Sequence, residues 1–110
     1  MKPTEEKLVF DLSDQEDRDV LECVRRGLEV CGWEGSNLSE KEEALKTKLG
    51  EEEDQGVLEL TAEEANLATE AISVRLNFAM VRDSMWDAEF AGMRRQDEIA
   101  AFAEGAVSTI

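Results

Sequence analysis

The sequence predicts a mainly α-helical protein with about four helices, arranged as two helix pairs, whose short strands could pair as a two-stranded β ribbon. Apolar residues recur with helical spacing, most clearly across residues 62–85. Aromatic residues make up only 5% of the 110 residues, so the core must consist mainly of aliphatic side chains and methionine, which suit helices. A chain of this length is expected to form one domain, residues 1–110, whose ends at 1–7 and 105–110 fray.

The first predicted helix follows a short strand at residues 8–12. Ser13 and Glu16 have the spacing of a capping box, in which each side chain accepts a hydrogen bond from the backbone N–H of the other residue. They predict the start of a helix that runs to about Cys31. Glycines on both sides of Trp33 end this helix and place the tryptophan in a loop.

A second, shorter helix is predicted over residues 40–49. Ser39 and Glu42 repeat the capping-box spacing at its start. Few of its residues are apolar, so we expect this helix to cover the core rather than to form it. The acidic run that follows at residues 51–54 is typical of a solvated loop.

An internal repeat with an offset of 48 residues relates the two halves of the chain. The offset aligns Val9 with Val57, Ser13 with Thr61 and Glu16 with Glu64. It therefore repeats the capping box at Thr61 and Glu64 and keeps the lead-in strand, the cap and the helix in phase. Any capped amphipathic helix shows part of this match, so coincidence and duplication both explain it. If the unit is duplicated, the two copies span residues 8–50 and 56–104.

The helix of the second half carries an additional apolar stripe. Leu67, Val74, Val81 and Met85 form it, spaced seven and four residues apart. A helix that is apolar on two sides is buried on two sides, so we expect this to be the central helix. The additional stripe either packs within the monomer or forms the interface with a second copy or another partner.

The segment after the central helix has two interpretations. Either Ser84 and Asp87 cap a fourth helix, or the central helix continues without a break. In both cases Trp86, Phe90 and Met93 share one side of this segment.

Aromatic and arginine residues are the candidate contact residues outside that stripe. Trp33, Trp86 and Phe90 offer large apolar areas of the kind that anchor protein interfaces. Arg75 and Arg82 lie seven residues apart on the central helix. They either contact an acidic partner or pair with acids of the same fold or of a second subunit, while their aliphatic stems lie on the core.

The residue types argue against an enzyme. The chain contains no histidine, which is the commonest general base, and two cysteines without histidine do not make a zinc site. No glycine-rich phosphate loop precedes a helix. We therefore expect no catalytic residue, no cofactor and no metal.

The formal net charge of −15 restricts the partners of this protein. Such a field repels nucleic acid and anionic membranes, since binding to phosphates needs lysine and arginine. A charged partner should therefore be basic. No apolar run has the length of a membrane span or of a signal peptide, so we expect a cytoplasmic protein.

These observations predict a small acidic interaction module that is homodimeric and binds a protein partner without performing chemistry. One alternative is an inhibitor that mimics nucleic acid with ordered rows of carboxylates, and another is a small-ligand or metal-dependent enzyme. The acids that could form such rows are Asp14, Asp17, Glu40, Glu43 and those of residues 51–54. The predicted contact residues are Leu67, Val74, Val81, Met85, Trp33, Trp86, Phe90, Arg75 and Arg82.

Overall fold

The computed structural model describes residues 1–33, 39–50, 56–83 and 85–108, with side chains at 1–30, 39–49, 56–83 and 85–105. Within these residues the chain forms four helices and one small antiparallel sheet, which confirms the predicted mainly α-helical class. In chain order the elements are β1 (Lys2–Pro3), β2 (Leu8–Asp11), α1 (Gln15–Trp33), α2 (Glu40–Gly50), β3 (Val57–Leu60), α3 (Ala62–Arg82) and α4 (Asp87–Ser108).

The sheet has three strands in the order β1-β2-β3, one more than the predicted ribbon. Lys2 pairs with Val9 and Pro3 pairs with Leu8, so the first residues are held where fraying was expected. The sequence gives no sign of this strand because β1 is two residues long and pairs through its backbone. A proline is tolerated there because the strand lies at the edge of the sheet.

A buried carboxylate ties the beginning of the chain to α1. Both oxygens of Asp17 accept hydrogen bonds from the α-amino group of Met1, at 2.5 and 2.7 Å. One of these oxygens also accepts from the backbone N–H of Asp11 at 2.8 Å. Asp17 is buried, so this pair fixes the first turn of α1 against β2.

The first predicted capping box is wrong, because neither of its residues makes the expected bond. The side chain of Asp14 accepts from the backbone N–H of Glu16 and so caps α1 one residue later than predicted. The hydroxyl of Ser13 instead donates to Asp11. The Glu16 carboxylate lies against α4, where it accepts from Arg94 and Arg95 at 2.7 and 2.5 Å. Two of the bonding partners of this glutamate are thus almost eighty residues away in the sequence.

The other two capping boxes are present. The backbone N–H of Ser39 donates to Glu42 and the N–H of Glu42 donates to the Ser39 hydroxyl, at 3.1 and 3.2 Å. Thr61 and Glu64 make the same reciprocal pair at the start of α3, at 2.9 and 3.2 Å. Both signals are local, so they do not depend on tertiary contacts.

Helices α3 and α4 are separate, so the central helix does not continue through this segment. The predicted cap residue Ser84 lies outside the described residues. Asp83 adopts the left-handed conformation with φ of 52°, and its N–H bonds the carbonyl oxygen of Ala79 as a helix C-cap. Helix α4 then begins at Asp87. Helix α1 ends at Trp33 rather than Cys31, and α4 continues to Ser108 where fraying was expected.

Helices α1, α3 and α4 pack against one another and form most of the core, while α2 covers it from one side. A Cβ atom on Gly27 of α1 would lie 2.0 Å from the carbonyl oxygen of Ala71 on α3. A Cβ atom on Gly92 of α4 would lie 2.5 Å from the sulfur of Cys23 on α1. These glycines therefore allow the three helices to approach closely.

The strand register follows the internal repeat. Phe10 pairs with Leu58, which is its equivalent at the offset of 48 residues. Val9 pairs with Glu59, and Asp11 pairs with Val57. Because Val57 is the equivalent of Val9 and Glu59 is the equivalent of Asp11, the two pairs are related by exchange of the strands. Strands β2 and β3 are thus related by a local twofold axis, as expected if the two halves are copies of one unit.

Ion pairs extend this relation to the helices. Glu16 on α1 pairs with Arg95 on α4, and its equivalent Glu64 on α3 pairs with Lys48 on α2 at 3.1 Å. In each half the first helix is therefore bonded to the second helix of the other half. The halves differ in length, because α2 has 11 residues and α4 has 22. The longer α4 carries the surface described next.

Candidate interaction surface

Three large apolar side chains lie exposed along one side of α4. Trp86 precedes the helix, and Phe90 and Met93 follow it at spacings of four and three residues, which place all three on the same side. Their exposed fractions are 67, 43 and 50%. We refer to these three residues as the α4 stripe.

Met80 extends the α4 stripe onto α3. Ser73 of α3 accepts a hydrogen bond from Gln96 of α4 at 2.5 Å, so this side of α3 borders the exposed flank of α4. Met80 follows Ser73 by two helical turns on the same side and is 69% exposed. The α4 stripe and Met80 together are called the apolar surface below.

Acidic residues border the apolar surface. Asp87 precedes Phe90 by three residues and Asp97 follows Met93 by four, so both carboxylates flank the α4 stripe, and both are exposed. Asp83, also exposed, lies in the turn between the two helices. Arg94, the nearest base on α4, is engaged by Glu16. The border is therefore negative.

A buried glutamate fixes the start of α4 and with it the α4 stripe. Glu89 is completely buried, and one of its oxygens accepts from the backbone N–H of Trp86 at 3.0 Å. The other oxygen accepts from Arg26 of α1 at 2.9 Å and lies 3.6 Å from Nε of Arg75 on α3. One carboxylate thus links all three core helices at the point where the stripe begins.

Further charges complete this cluster on α1. Glu22 accepts from Arg26 at 3.2 Å and also from Arg25. Burial by itself raises the pKa of Glu22, but the hydrogen bond and charge of Arg25, together with the charge of Arg26, outweigh burial and leave the pKa below its ordinary value. Alternating charges therefore connect the exposed side of α1 to the buried Glu89.

The predicted stripe on α3 does not form one surface. Leu67 is partly buried and packs against the core, whereas Val81 is 84% exposed. Val74 and Met85 are half-buried. Leu67 therefore belongs to the core, Val81 faces solvent, and Met85 lies beyond the end of α3 at Arg82.

The exposed end of this stripe lines a groove between α1 and α3. Val30, Val74, Phe78 and Val81 form much of its wall, and its volume is about 490 Å³. Arg82 stands at its edge, with the guanidinium 5.2 Å from the centre of the Phe78 ring. This geometry is a cation–π contact at an exposed site.

The other predicted contact residues lie in different surroundings. The Arg75 side chain is only 13% exposed and forms its ion pair within the chain, as the second of its two interpretations states. Arg82 is exposed. The backbone of Trp33 ends α1, and its side chain lies outside the described residues. Trp86 and Phe90 lie on the apolar surface.

Met80, Met93 and Glu89 belong to the site but were not among the predicted contact residues. The sequence placed Met93 on the same side as Trp86 and Phe90 without including it in the contact set. Met80 lies on the side of α3 that carries the polar residues Ser73 and Asn77. Only its spacing of seven residues from Ser73 indicates that it lies on the side of α3 next to α4. Glu89 reads as one acid among 27. Its position three residues after Trp86 is that of the reciprocal glutamate in a capping box, and this spacing was the available signal.

Carboxylate and thiol side chains are the groups that could hold a metal ion or act as a nucleophile. Among the described residues, no cluster of three or more cysteine, aspartate or glutamate side chains could hold a metal ion. Burial, followed by the charge of Glu89, raises the pKa of the Cys23 thiol to about 12, so the thiol is not a nucleophile near neutral pH. None of the described helices combines the length and the apolarity needed to cross a bilayer.

Comparison with known proteins assigns no relative. The chain matches no family model, no curated protein sequence and no solved structure. The exposed apolar surface is therefore the main guide to function.

Proposed function

We propose that this protein is a small, non-catalytic interaction module that binds a protein partner through the apolar surface. The observation that carries this proposal is the exposure of Trp86, Phe90, Met93 and Met80 on two adjoining helices. Single exposed apolar residues are common on soluble proteins, but a group of four on adjoining helices that includes tryptophan is typical of a binding surface. We retain the cytoplasmic location expected from the sequence.

The size of the surface fits such a role. From their exposed fractions, the four side chains present on the order of 500 Å² to solvent. A stable interface buries about 800 Å² on each partner, with an apolar centre and a polar border. The apolar surface supplies the centre, and the surrounding aspartates supply the border.

Self-association through the same surface is the second candidate. One side of a straight helix can pack against its own copy about a twofold axis, because the contact is then self-complementary. Two copies would bury roughly 1,000 Å² of apolar surface in total, which is close to the lower limit for a specific interface. This area permits the homodimer expected from the sequence.

Site-specific photocrosslinking tests the proposal and separates its two candidates. Phe90 is replaced by p-benzoylphenylalanine in the cells that make the protein, and Val57, an exposed apolar residue on β3, receives the same group as a matched control. We expect one dominant protein adduct from position 90 and none of that mass from position 57. An adduct with the chain itself identifies the homodimer. The same adducts from both positions, or none from either, would refute the proposed surface.

Sedimentation velocity tests self-association directly. A dimer through the apolar surface should dissociate to a 12.3 kDa monomer when Phe90 and Met93 are replaced by serine, and should persist in Val57→Ser. A wild-type monomer at about 100 μM, well above a micromolar dissociation constant, excludes the homodimer. It leaves binding to a different protein as the function.

The nucleic-acid mimic has less support than either candidate. A mimic needs carboxylates that are free to face a basic cleft. Asp17 is buried against the α-amino group of Met1, and Asp14 caps α1. Glu40 and Glu43 are exposed on α2, whereas residues 51–54 lie outside the described residues.

A further inference from the structure

We infer that the partner presents a cationic amphipathic helix, which seats its apolar side on Met80, Trp86, Phe90 and Met93 while its lysines or arginines face the bordering aspartates. This inference rests on the proposed function and narrows it to one kind of partner. Three properties of the apolar surface lead to it: its charge, its shape and its relation to a second copy of the chain.

The charge around the surface selects a basic partner. Asp83, Asp87 and Asp97 are exposed at its border, and the chain as a whole carries −15. The nearest base on α4, Arg94, already bonds Glu16 through two nitrogens at 2.7 and 2.9 Å. Complementary charge at an interface border speeds association and excludes wrong partners. A partner with lysine or arginine beside its apolar residues would pair with the aspartates of this border.

The shape of the surface selects a helix. Its members lie on α3 and α4, whose backbone groups are already bonded within the helices, so a partner strand would find no edge to extend. From Trp86 to Met93 the α4 stripe spans about 10 Å, or two helical turns. A partner helix with apolar residues at positions i, i+4 and i+7 matches this length and lies along the flank where Ser73 meets Gln96.

A second copy of the chain fits the surface less well. A twofold dimer on the α4 stripe would bring Asp87 and Asp97 of both copies to one border, and each copy carries −15. Like charges placed together at an interface weaken it, and salt screens them only beyond about 8 Å at physiological ionic strength. The charge that opposes self-association favours a cationic helix.

A pair of model peptides tests the inference. The first is an amphipathic helix of about 14 residues made only of leucine and lysine, and the second has glutamate in place of every lysine. Trp33→Phe leaves Trp86 as the sole tryptophan, so its fluorescence reports contact at the surface. We expect the lysine peptide to shift this emission to the blue, as Trp86 loses water, and the glutamate peptide to leave it unchanged.

Two variants separate seating on the apolar surface from diffuse attraction between opposite charges. Phe90→Ser with Met93→Ser keeps the net charge and should weaken binding of the lysine peptide roughly tenfold or more, measured by calorimetry. Val57→Ser, a matched loss of an exposed apolar residue, should leave the affinity unchanged. Asp87→Asn with Asp97→Asn should weaken binding and reduce its dependence on salt.

The outcomes distinguish failure of this inference from failure of the proposed function. Equal binding of the lysine peptide by wild type and by the Phe90 and Met93 variant would overturn the inference, because diffuse charge then explains the binding. Equal affinity for both peptides, or for neither, would overturn it as well. A crosslink from position 90 to another kind of protein, or to the chain itself, would in those cases still support the apolar surface as an interface.

Discussion

Replacing Glu89 with glutamine tests the buried cluster that fixes the start of α4. Glutamine keeps the shape of the side chain and an oxygen for the backbone N–H of Trp86, which lies 3.0 Å from the carboxylate. It removes the negative charge that faces Arg26 at 2.9 Å and Arg75 at 3.6 Å. Two guanidinium groups then face a neutral amide.

The magnitude follows from the burial of the three side chains. Removing one partner of a fully buried ion pair lowers the free energy of unfolding by about 3–5 kcal/mol. The Arg26 side chain is 33% exposed, so water partly replaces the lost interaction with the carboxylate. The Arg75 side chain is only 13% exposed, so water replaces less of it there. We therefore expect Glu89→Gln to lose about 2–3 kcal/mol, which corresponds to a fall in Tm of roughly 10 °C or more in a domain of this size.

Urea denaturation followed by circular dichroism measures this loss. Glu98→Gln is the matched control, because Glu98 pairs with Arg95 on the same helix but is 54% exposed, and its loss should stay within about 0.5 kcal/mol. The double variant Arg26→Gln with Glu89→Gln should lose less free energy of unfolding than the two single variants together, with a coupling of about 1 kcal/mol or more. A loss below about 0.5 kcal/mol for Glu89→Gln, or strict additivity, would show that the cluster does not hold α4.

Three further predictions concern the helix contacts, the buried thiol and the response to acid. Gly27→Ala should destabilise the fold by about 2 kcal/mol despite a gain of about 1 kcal/mol in helix propensity, because the new Cβ meets backbone at 2.0 Å. Gly105→Ala, where a Cβ meets no atom within 4 Å, should stabilise α4 in the same urea assay. Stability changes of the same sign in both variants would contradict the close contact assigned to Gly27. In a Cys31→Ser variant, Cys23 should react with iodoacetamide at pH 8 only after denaturation, since its pKa is about 12; fast labelling of the native protein would contradict its burial. Glu16→Gln should be less stable than wild type at pH 7 and equally stable in strong acid. Hydrogen bonds from Arg95 and Arg94 hold the Glu16 pKa below its ordinary 4.5, so their contribution to stability is lost as the pH falls through the lowered pKa. A difference in stability that persists at low pH in urea titrations would contradict this prediction.

Features that depend on neighbouring residues were predictable from the sequence. The capping boxes at Ser39 and Thr61 involve residues three positions apart, so their spacing alone predicts both bonds. The two strands that the sequence marked as possible partners also pair, although their register, in which Phe10 faces Leu58, was not predicted. The helical class followed from periodicity and from the low aromatic content.

Features that depend on distant residues were not predictable in this way. Glu16 has the correct spacing from Ser13 for a cap, but two arginines on α4 offer charged hydrogen bonds that are stronger than a bond to the backbone N–H of a serine. The periodic stripe of α3 includes Val81, which is 84% exposed and lines the groove between α1 and α3, so the described helices do not cover this side of α3. Periodicity shows that a side is apolar but does not show where the covering element ends.

The buried cluster and the apolar surface belong to one structural unit, and this has a consequence for the proposed function. Glu89 is buried beside Phe90, and it bonds the backbone of Trp86, so the charge that anchors α4 also sets the position of two contact residues. A preorganised surface loses less entropy on binding than a mobile one. Loss of the Glu89 charge should therefore lower the affinity for a partner, even though the buried Glu89 side chain is not itself a contact residue. Stability and partner affinity should fall together in Glu89→Gln, whereas Phe90→Ser with Met93→Ser should lower affinity more than it lowers the free energy of unfolding, because about half of each side chain is already exposed to solvent.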